Sequence, residues 1–303
     1  MGVSILPRGR ERKGGCGTPA RSAWVDGMVD VLAQEELTVD GLCGSWTMEQ
    51  RARGHRHSTD DLLTAWYACE KTSSRQRLLD LGSGIGTVGL MTLWRSPEAT
   101  LTAVEAQEVS FALLLRNIAR NGLDARVRAV HGDLRHVRFP GETFDVVTGS
   151  PPYFNVKDGI VPQDSQKAHA RFELRGDVTD YCAAAVAALA PGGTFVFCFP
   201  TAQRQRALVA CAAAGLHVWA YCDVVPREGL PALFTLFHCG VASAGAPPTV
   251  VETPYLVRHA MDPRAHNTRR RAPALDWVLC VVEAPTGHVP RCATVCPSLH
   301  RGP

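Results

Sequence analysis

Short apolar segments alternate with helical segments from Arg77 onward, and this alternation constrains the fold more than any other feature of the chain. Helical segments of about 10 to 15 residues between strands predict a parallel sheet with helices on both faces. Only the turn-rich connector 226–231 separates the last two apolar segments, which favours an antiparallel hairpin there. The predicted strands are 77–81, 101–105, 127–131, 144–148, 194–199, 217–225 and 233–241, with helices at 87–94, 109–121, 177–189 and 201–214.

Composition limits the class of protein. Apolar residues make up 46% of the 303 residues and charged residues 20%, so we expect a sizeable buried core. The formal charge of +3 excludes a purely electrostatic binder of nucleic acid. No apolar run approaches the roughly 20 residues that span a bilayer, so we expect no membrane association. The eleven cysteines lie mostly in apolar segments, as in a reducing compartment.

A glycine-rich segment follows the first predicted strand and opens a helix. Gly82, Gly84 and Gly86 allow backbone amides to approach a ligand at the helix N-terminus, and Glu105 ends the next strand, where its carboxylate can bind a ribose diol. This pattern is also typical of dinucleotide binding. However, Asp80 precedes the glycines and would repel a pyrophosphate, whereas the cationic sulfonium and ammonium of S-adenosylmethionine would not be repelled.

A further acid, Asp133, follows the third predicted strand. A carboxylate at that strand end can accept a hydrogen bond from the exocyclic amine of an adenine. The signal is weak alone, because Gly-Asp is also a common turn dipeptide.

The segment Ser150-Pro151-Pro152-Tyr153 directly follows the strand 144–148. Two prolines make an extended, rigid loop at the carboxyl end of a strand, which is the edge where α/β sheets bind ligands. The Pro151 carbonyl and the Ser150 hydroxyl then become two fixed acceptors, and the Tyr153 ring becomes a stacking surface. We therefore expect this loop to bind a planar amine, such as a nucleobase.

The order of these motifs resembles class I S-adenosylmethionine-dependent methyltransferases of the "methyltransferase small" type, to which bacterial valine-tRNA adenine-N6 methyltransferases belong. Further segments carry the resemblance, which covers 37–240: 38–42, 54–63, 170–173 and 225–229. It implies a Rossmann-like α/β fold with a seven-stranded, mostly parallel sheet and an antiparallel terminal hairpin. It also implies S-adenosylmethionine as cofactor and tRNA as substrate. On matched positions it assigns catalysis to Ser150, Pro151, Pro152 and Tyr153, and cofactor binding to Asp80, Gly82, Gly84, Gly86, Glu105, Asp133 and Thr59.

Ser150 departs from the adenine-N6 relatives, which usually carry Asn or Asp there. Serine at that position is typical of cytosine-N4 methyltransferases, but those mostly have the two motifs in the opposite chain order. Relatives with Asn also methylate the glutamine N5 or guanine N2 atom. The alternatives to an adenine-N6 enzyme are therefore a protein methyltransferase acting on a glutamine amide or lysine amine, and a non-catalytic RNA-binding protein of this fold.

Three regions are expected: a basic, flexible N-terminal extension (1–36), the methyltransferase domain (37–241) and a partly ordered C-terminal extension (242–303) with one predicted strand at 275–282. The charge is uneven, because 1–23 carry +4 and 241–303 carry +3, which leaves −4 for 24–240. If the substrate is RNA, we expect the extensions to supply much of the non-specific affinity. We expect a cytoplasmic protein; the basic N-terminal segment leaves a mitochondrial or other organellar location open.

Three weaker signals remain. A basic cluster before the first predicted strand of the sheet is either a phosphate-binding or cofactor-covering segment or a solvated surface. It comprises Arg51, Arg53, His55, Arg56 and His57. The resemblance favours Arg56, Thr59 and Asp60 in this region. Arg171 and Glu173 are expected to form a structural ion pair. A four-residue repeat near the C-terminus could hold zinc only on a continuous helix, which Pro290 and Pro297 interrupt, so no metal is expected; its members are His288, Cys292, Cys296 and His300.

Overall fold

The computed structural model describes residues 4–5, 30–72, 76–157, 159–243 and 245–257. Its strands are β1 (Ser4–Ile5), β2 (Leu37–Cys43), β3 (Trp46–Arg51), β4 (Arg77–Leu81), β5 (Thr100–Glu105), β6 (Val127–His131), β7 (Phe144–Gly149), β8 (Leu189–Pro200), β9 (Leu216–Val225), β10 (Phe234–Val241), β11 (Val250–Val251) and β12 (Tyr255–Leu256). Its α-helices are α1 (Thr59–Lys71), α2 (Thr87–Trp94), α3 (Glu108–Arg120), α4 (Ser165–Arg171), α5 (Val178–Ala188) and α6 (Arg204–Ala213). Short 3-10 helices lie at Asp30–Leu32 and Thr201–Gln203.

The main sheet contains the seven predicted strands in the order β6-β5-β4-β7-β8-β10-β9. Strands β4 to β8 run parallel to one another, and β10 lies antiparallel between β8 and β9. The predicted Rossmann-like α/β fold with an antiparallel terminal hairpin is therefore confirmed. Strand β1 adds antiparallel to β6, and β11 and β12 add parallel to β9.

The strand order reverses at β4, because β5 and β6 lie on one side of it and β7 and β8 on the other. The loops that follow β4 and β7 therefore diverge at the carboxyl edge of the sheet and leave a crevice between them. Open α/β sheets bind their ligands in such a crevice. The glycine-rich loop and the Ser-Pro-Pro-Tyr loop leave the sheet on its two sides.

Each central strand contributes to two cores, one on each face of the sheet. On β4, Leu78 packs with one core and Leu79 with the other; Val146 and Val147 of β7 divide in the same way. Helices α1, α2 and α3 cover the first face, and α5 and α6 cover the second. A parallel sheet covered on both faces explains why its strands are continuous apolar segments rather than alternating ones.

The hairpin β2–β3 was not predicted from hydrophobic periodicity. It docks on α3 through Asn117, whose amide oxygen accepts the backbone N–H of Glu49 at 2.7 Å and whose nitrogen donates to the carbonyls of Glu49 and Ile85 at 3.1 and 3.0 Å. This anchor sets where the chain after β3 enters the region above the sheet. The predicted strand 275–282 lies outside the described residues.

A search of the described residues for a helix long and apolar enough to cross a membrane finds none. All seven cysteines in that part of the chain are buried thiols.

Candidate active site

A cavity of about 590 Å³ opens at the carboxyl edge of the sheet, within the roughly 300–1,000 Å³ typical of small-molecule sites. The loops after β4, β5 and β7 form its floor, and segment 54–61 and α4 form its upper wall. Eight of the eleven predicted site residues line it: Asp80, Gly82, Gly84, Glu105, Ser150, Pro151, Pro152 and Tyr153. The structure thus brings the glycine-rich loop and the Ser-Pro-Pro-Tyr loop to one cavity.

Two glycines in the loop after β4 have backbone conformations that disfavour side chains. Gly82 has φ +62° and Gly84 has φ +56°. A Cβ at Gly82 would lie 2.0 Å from the Tyr181 hydroxyl oxygen, whereas a Cβ at Gly84 would meet nothing within 4 Å. The first glycine is therefore needed for packing, and the second leaves bare backbone beside open space in the cavity.

Glu105, at the end of β5, connects the loops that follow β4 and β5. One carboxylate oxygen accepts the Gly84 N–H at 2.8 Å and the other accepts the Gln107 N–H at 2.6 Å. Burial raises the pKa of Glu105, and these backbone hydrogen bonds oppose that rise. A carboxylate offers about four acceptor positions, so Glu105 keeps capacity for a ligand hydroxyl.

Asp80 braces the start of the same loop. Its carboxylate accepts the Thr148 hydroxyl at 2.7 Å and the Gly89 N–H at 3.1 Å, which joins β4 to β7 and to α2. Burial raises the pKa of Asp80 to about 6, although these hydrogen bonds act in the opposite direction. The side chain therefore has a structural task in addition to the predicted electrostatic one.

The Tyr153 ring is fixed at both ends of the side chain. Its hydroxyl donates to Asp60 of α1 at 2.7 Å and lies 3.2 Å from the Cys198 sulfur. The ring packs edge-on against Phe199, with 6.1 Å between centroids. The Gln203 amide donates to the Tyr153 carbonyl at 2.7 Å. The orientation of Tyr153 is therefore set by residues far from it in the sequence.

Ser150 lies above the same buried cysteine. The Cys198 thiol donates to the Ser150 hydroxyl oxygen at 3.7 Å, which is a weak contact. Among the described residues, no hydrogen bond uses the Pro151 carbonyl oxygen, although this proline is buried in the cavity wall. The loop thus presents a hydroxyl and an unused carbonyl acceptor to the cavity.

Gln166 of α4 holds the upper wall together. Its side-chain oxygen accepts the His55 N–H at 3.1 Å, and its nitrogen donates to the Ser110 hydroxyl at 3.3 Å. A Cβ at Gly54 would lie only 2.2 Å from that Gln166 oxygen, so the chain passes closely there. Sequence analysis missed Gln166, because a single buried glutamine on a short helix carries no pattern.

The members of the basic cluster at 51–57 have different roles in the structure. Arg51 pairs with Glu35 and Asp164, both at 2.8 Å, and Arg56 pairs with Asp40 at 2.8 Å. Phosphate binding is not supported for these two arginines, whose partners are acidic side chains of the protein. The cofactor-covering interpretation fits the segment 54–58, which lines the cavity.

Gly86, Asp133 and Thr59 are the three predicted site residues that do not line the cavity. Gly86 is the N-cap of α2, and Thr59 is the exposed first residue of α1. The Asp133 carboxylate forms an ion pair with Arg135 at 2.6 Å. Burial raises the pKa of Asp133, but the hydrogen bonds from Arg135 outweigh burial and hold that pKa below its ordinary value. Their roles in cofactor binding stay predictions.

The predicted Arg171–Glu173 ion pair is wrong. Glu173 instead pairs with Arg206 of α6 at 2.5 Å and accepts a hydrogen bond from Asn155 at 3.2 Å. The guanidinium of Arg171 is exposed beside the cavity and forms no ion pair within the described residues. Arg171 is the last residue of α4, whereas Glu173 lies beyond the helix and is bonded to α6.

A search for three or more His, Cys, Asp or Glu side chains placed to hold a metal finds no such group in the described residues. The C-terminal His and Cys repeat lies outside them.

Comparison with known proteins identifies similar sequences and folds. The family model of the methyltransferase small domain matches residues 61–206. The tRNA1(Val) (adenine(37)-N6)-methyltransferase of Vibrio cholerae is 28% identical over 213 residues, covering 70% of this chain and 85% of the relative. The protein of the same name from Aeromonas hydrophila is 30% identical over 180 residues, covering 59% of this chain and 73% of the relative.

Solved structures of low sequence identity share the fold. A predicted O-methyltransferase from Agrobacterium tumefaciens matches with a TM-score of 0.52 at 19% identity, covering 68% of this chain and 90% of that one. Trm5 of Methanocaldococcus jannaschii, solved with adenosine, matches with a TM-score of 0.51 at 13% identity, covering 69% and 57%.

Proposed function

This chain belongs to the methyltransferase small domain family of S-adenosylmethionine-dependent methyltransferases, and from that premise we propose that it methylates an exocyclic nucleobase amine, adenine N6 in tRNA. One observation carries the proposal: the Ser150–Tyr153 loop opens on the same cavity as the glycine-rich loop and Glu105. The similar bacterial proteins are named as tRNA adenine-N6 methyltransferases, which supports this acceptor. The cysteine usage supports action in a reducing compartment such as the cytoplasm.

The residues present fit S-adenosylmethionine. Bare backbone at Gly84 leaves room for an extended ligand, and Glu105 keeps acceptor positions for hydroxyl groups. Asp60 and Asp61 add carboxyl groups to the same cavity wall, which suits a ligand with ammonium and sulfonium groups. Gly82, Gly84 and Glu105 would hold it; when bound, it supplies an activated methyl group on its sulfonium.

Ser150 and Pro151 are suited to an amine with two N–H hydrogens. The Pro151 carbonyl is an unused acceptor, and the Ser150 oxygen has a second lone pair besides the one that faces the Cys198 thiol. Serine is shorter than the Asn or Asp of the adenine-N6 relatives. The base therefore lies deeper against Ser150, or a water bridges the gap.

No conventional general base is required. An exocyclic nucleobase amine is too weak an acid for a side chain to deprotonate before methyl transfer, so the proton leaves to solvent afterwards. The two acceptors hold the N–H hydrogens and direct the nitrogen lone pair into the cavity. Tyr153, fixed by Asp60, holds the plane of the base, and this alignment supplies most of the acceleration.

The test is incubation of the full chain with labelled S-adenosylmethionine and either total tRNA or total protein, followed by nucleoside and amino-acid analysis. We expect labelled N6-methyladenosine from the tRNA. Ser150→Ala and Tyr153→Ala should each lose at least tenfold in rate while cofactor binding, measured by isothermal titration calorimetry, persists. Full activity in both variants, or label only in protein glutamine, would contradict the proposal.

A further inference from the structure

One part of the cavity wall has no role in the proposed binding of the cofactor or of the methylated base. It consists of Phe154, Lys167 and Arg171, which we call the α4 rim. All three residues line the cavity, and the two cations lie four residues apart, on one face of α4.

The acids closest in sequence to the α4 rim form their ion pairs with other arginines. Asp164, three residues before Lys167, gives its carboxylate to Arg51 at 2.8 Å, and Glu173 pairs with Arg206 at 2.5 Å. Neither Lys167 nor Arg171 takes part in an ion pair within the described residues. Burial lowers the pKa of His55; the charge of Asp60 raises it, and the charges of Arg171 and Lys167 lower it. Lys167 and Arg171 therefore form one positively charged region of the cavity wall.

The α4 rim is attached to the substrate loop rather than to the glycine-rich loop. The Arg171 carbonyl accepts the N–H groups of Tyr153 at 3.1 Å and Phe154 at 2.9 Å, and the Glu173 N–H donates to the Phe154 carbonyl at 3.0 Å. The backbone of Arg171 is thus bonded to the loop that is proposed to receive the substrate. The same backbone hydrogen bonds position Phe154, which lines the cavity.

Phe154 is 46% exposed, which is high for a phenylalanine in a wall built from buried side chains. Its ring contacts Phe172, with 5.6 Å between centroids, and this contact fixes its position without covering its other face. An exposed aromatic ring beside unpaired cations is the combination with which proteins bind single-stranded nucleic acid.

We propose that the α4 rim binds the single-stranded RNA that flanks the methylated base, with Lys167 and Arg171 on phosphates and Phe154 stacked on an adjacent base. This inference rests on the proposed function, because it assumes that the base in the cavity belongs to RNA. Helix α4 is already fastened by Asp164 to Arg51 and by Gln166 to His55 and Ser110. The surface is therefore in place before the RNA arrives, which lowers the entropic cost of binding.

The experiment compares the full chain with the double variant Lys167→Gln/Arg171→Gln and with Phe154→Ala. The KM for tRNA, its dependence on salt and the affinity for S-adenosylmethionine are measured. Two lost phosphate contacts should lower the slope of log affinity against log salt by about 1.4 and raise the KM for tRNA about tenfold at low salt. Phe154→Ala should raise that KM about tenfold without changing the salt slope, because stacking is not ionic.

Arg95→Gln is the matched control for Arg171→Gln. Arg95 is also exposed and outside any ion pair of the described residues, but it follows α2 at the opposite edge of the sheet. We expect its tRNA KM and salt slope to equal those of the wild type. If Arg171→Gln and Arg95→Gln changed the tRNA KM and the salt slope equally, the effect would be one of general charge, and the assignment of the α4 rim would be overturned.

An unchanged slope and KM in the double variant would also overturn it. So would a weakened affinity for S-adenosylmethionine with an unchanged slope, because that result places the cations at the cofactor. If the wild-type chain methylates no tRNA, the proposed function fails. Direct titration of a single-stranded oligoribonucleotide against both proteins then still tests the α4 rim through the same slope.

Discussion

On the proposed cofactor side of the cavity, Glu105 bonds to backbone in adjacent loops, whereas on the proposed substrate side Tyr153 and Gln166 bond to residues distant in the chain. Glu105 accepts N–H groups from residues 2 and 21 positions away. Tyr153 bonds to Asp60 across 93 positions, and Gln166 bonds to His55 across 111. The contacts of Glu105 are thus local in the chain, whereas those of Tyr153 and Gln166 form only once distant parts of the domain have packed.

The two sides also differ in charge and exposure. Asp80 and Glu105 are buried carboxyl groups with raised pKa values, whereas Lys167, Arg171 and Phe154 leave positive charge and an aromatic ring accessible. A buried, internally bonded side suits a small ligand common to many enzymes. An accessible side suits a large substrate, which must be recognised outside the cavity as well as within it.

The largest effect is expected on the cofactor side, from Gly82→Ala. The φ of residue 82 is unfavourable for alanine, and the new Cβ would lie 2.0 Å from the Tyr181 hydroxyl oxygen. We therefore expect a loss of about 3–5 kcal/mol in the free energy of unfolding. Gly192→Ala is the matched control, because Gly192 has φ +75° with nothing within 4 Å and should lose only about 1–2 kcal/mol. Denaturant titration measures both, and equal losses would mean that close packing at Gly82 is unimportant.

The second effect concerns pH and Asp80. Its pKa of about 6 lies above the ordinary 3.8, so between these values the folded chain binds the proton more tightly than the unfolded chain. This group therefore favours folding at low pH, and about 3 kcal/mol of that contribution is lost as the pH rises from about 4 to 7.

Asp80→Asn removes this titration and keeps the shape of the side chain. We expect the free energy of unfolding of the variant, relative to the wild type, to increase by about 2–3 kcal/mol from pH 4 to pH 7. Denaturant titrations without cofactor at several pH values measure that difference. A difference that does not change with pH would show that Asp80 titrates normally in the folded chain.

A smaller effect is expected on the substrate side, from Tyr153→Phe. The change removes the hydroxyl that donates to Asp60 but keeps the ring, so we expect kcat to fall about tenfold with little change in cofactor affinity. Asp60→Asn should lower kcat to a similar degree, and the kcat of the double variant should be no lower than that of either single variant, because both act on kcat through one bond.

Tyr221→Phe, in β9 and outside the cavity, is the control and should leave kcat unchanged. Additive losses in the Tyr153 and Asp60 variants would mean that the two residues act independently.

The difference between contacts that are local in the chain and contacts between distant residues also explains what the sequence could predict. The seven strands and the glycine-rich loop follow from hydrophobic segments and from a motif in which glycines and a carboxylate are close in the chain. The hairpin β2–β3 and Gln166 were missed, because their positions depend on Asn117 and His55, which no local pattern connects to them. The Arg171–Glu173 pair was wrong for the same reason, since Arg206 comes from a helix more than thirty residues away.

The smallest effect is expected from the extensions, which the sequence makes positive while 24–240 is negative by four charges. Replacing Arg269, Arg270 and Arg271 by Gln in the full chain should weaken binding of all RNAs to a similar degree and lower the salt slope by at most about 0.9 per lost phosphate contact. Saturating kcat should not change, because these charges hold RNA near the enzyme without placing the base. Nitrocellulose filter binding at several salt concentrations measures this, beside kcat at saturating tRNA. If kcat fell as well, the extension would take part in placing the base, and the α4 rim would share that task.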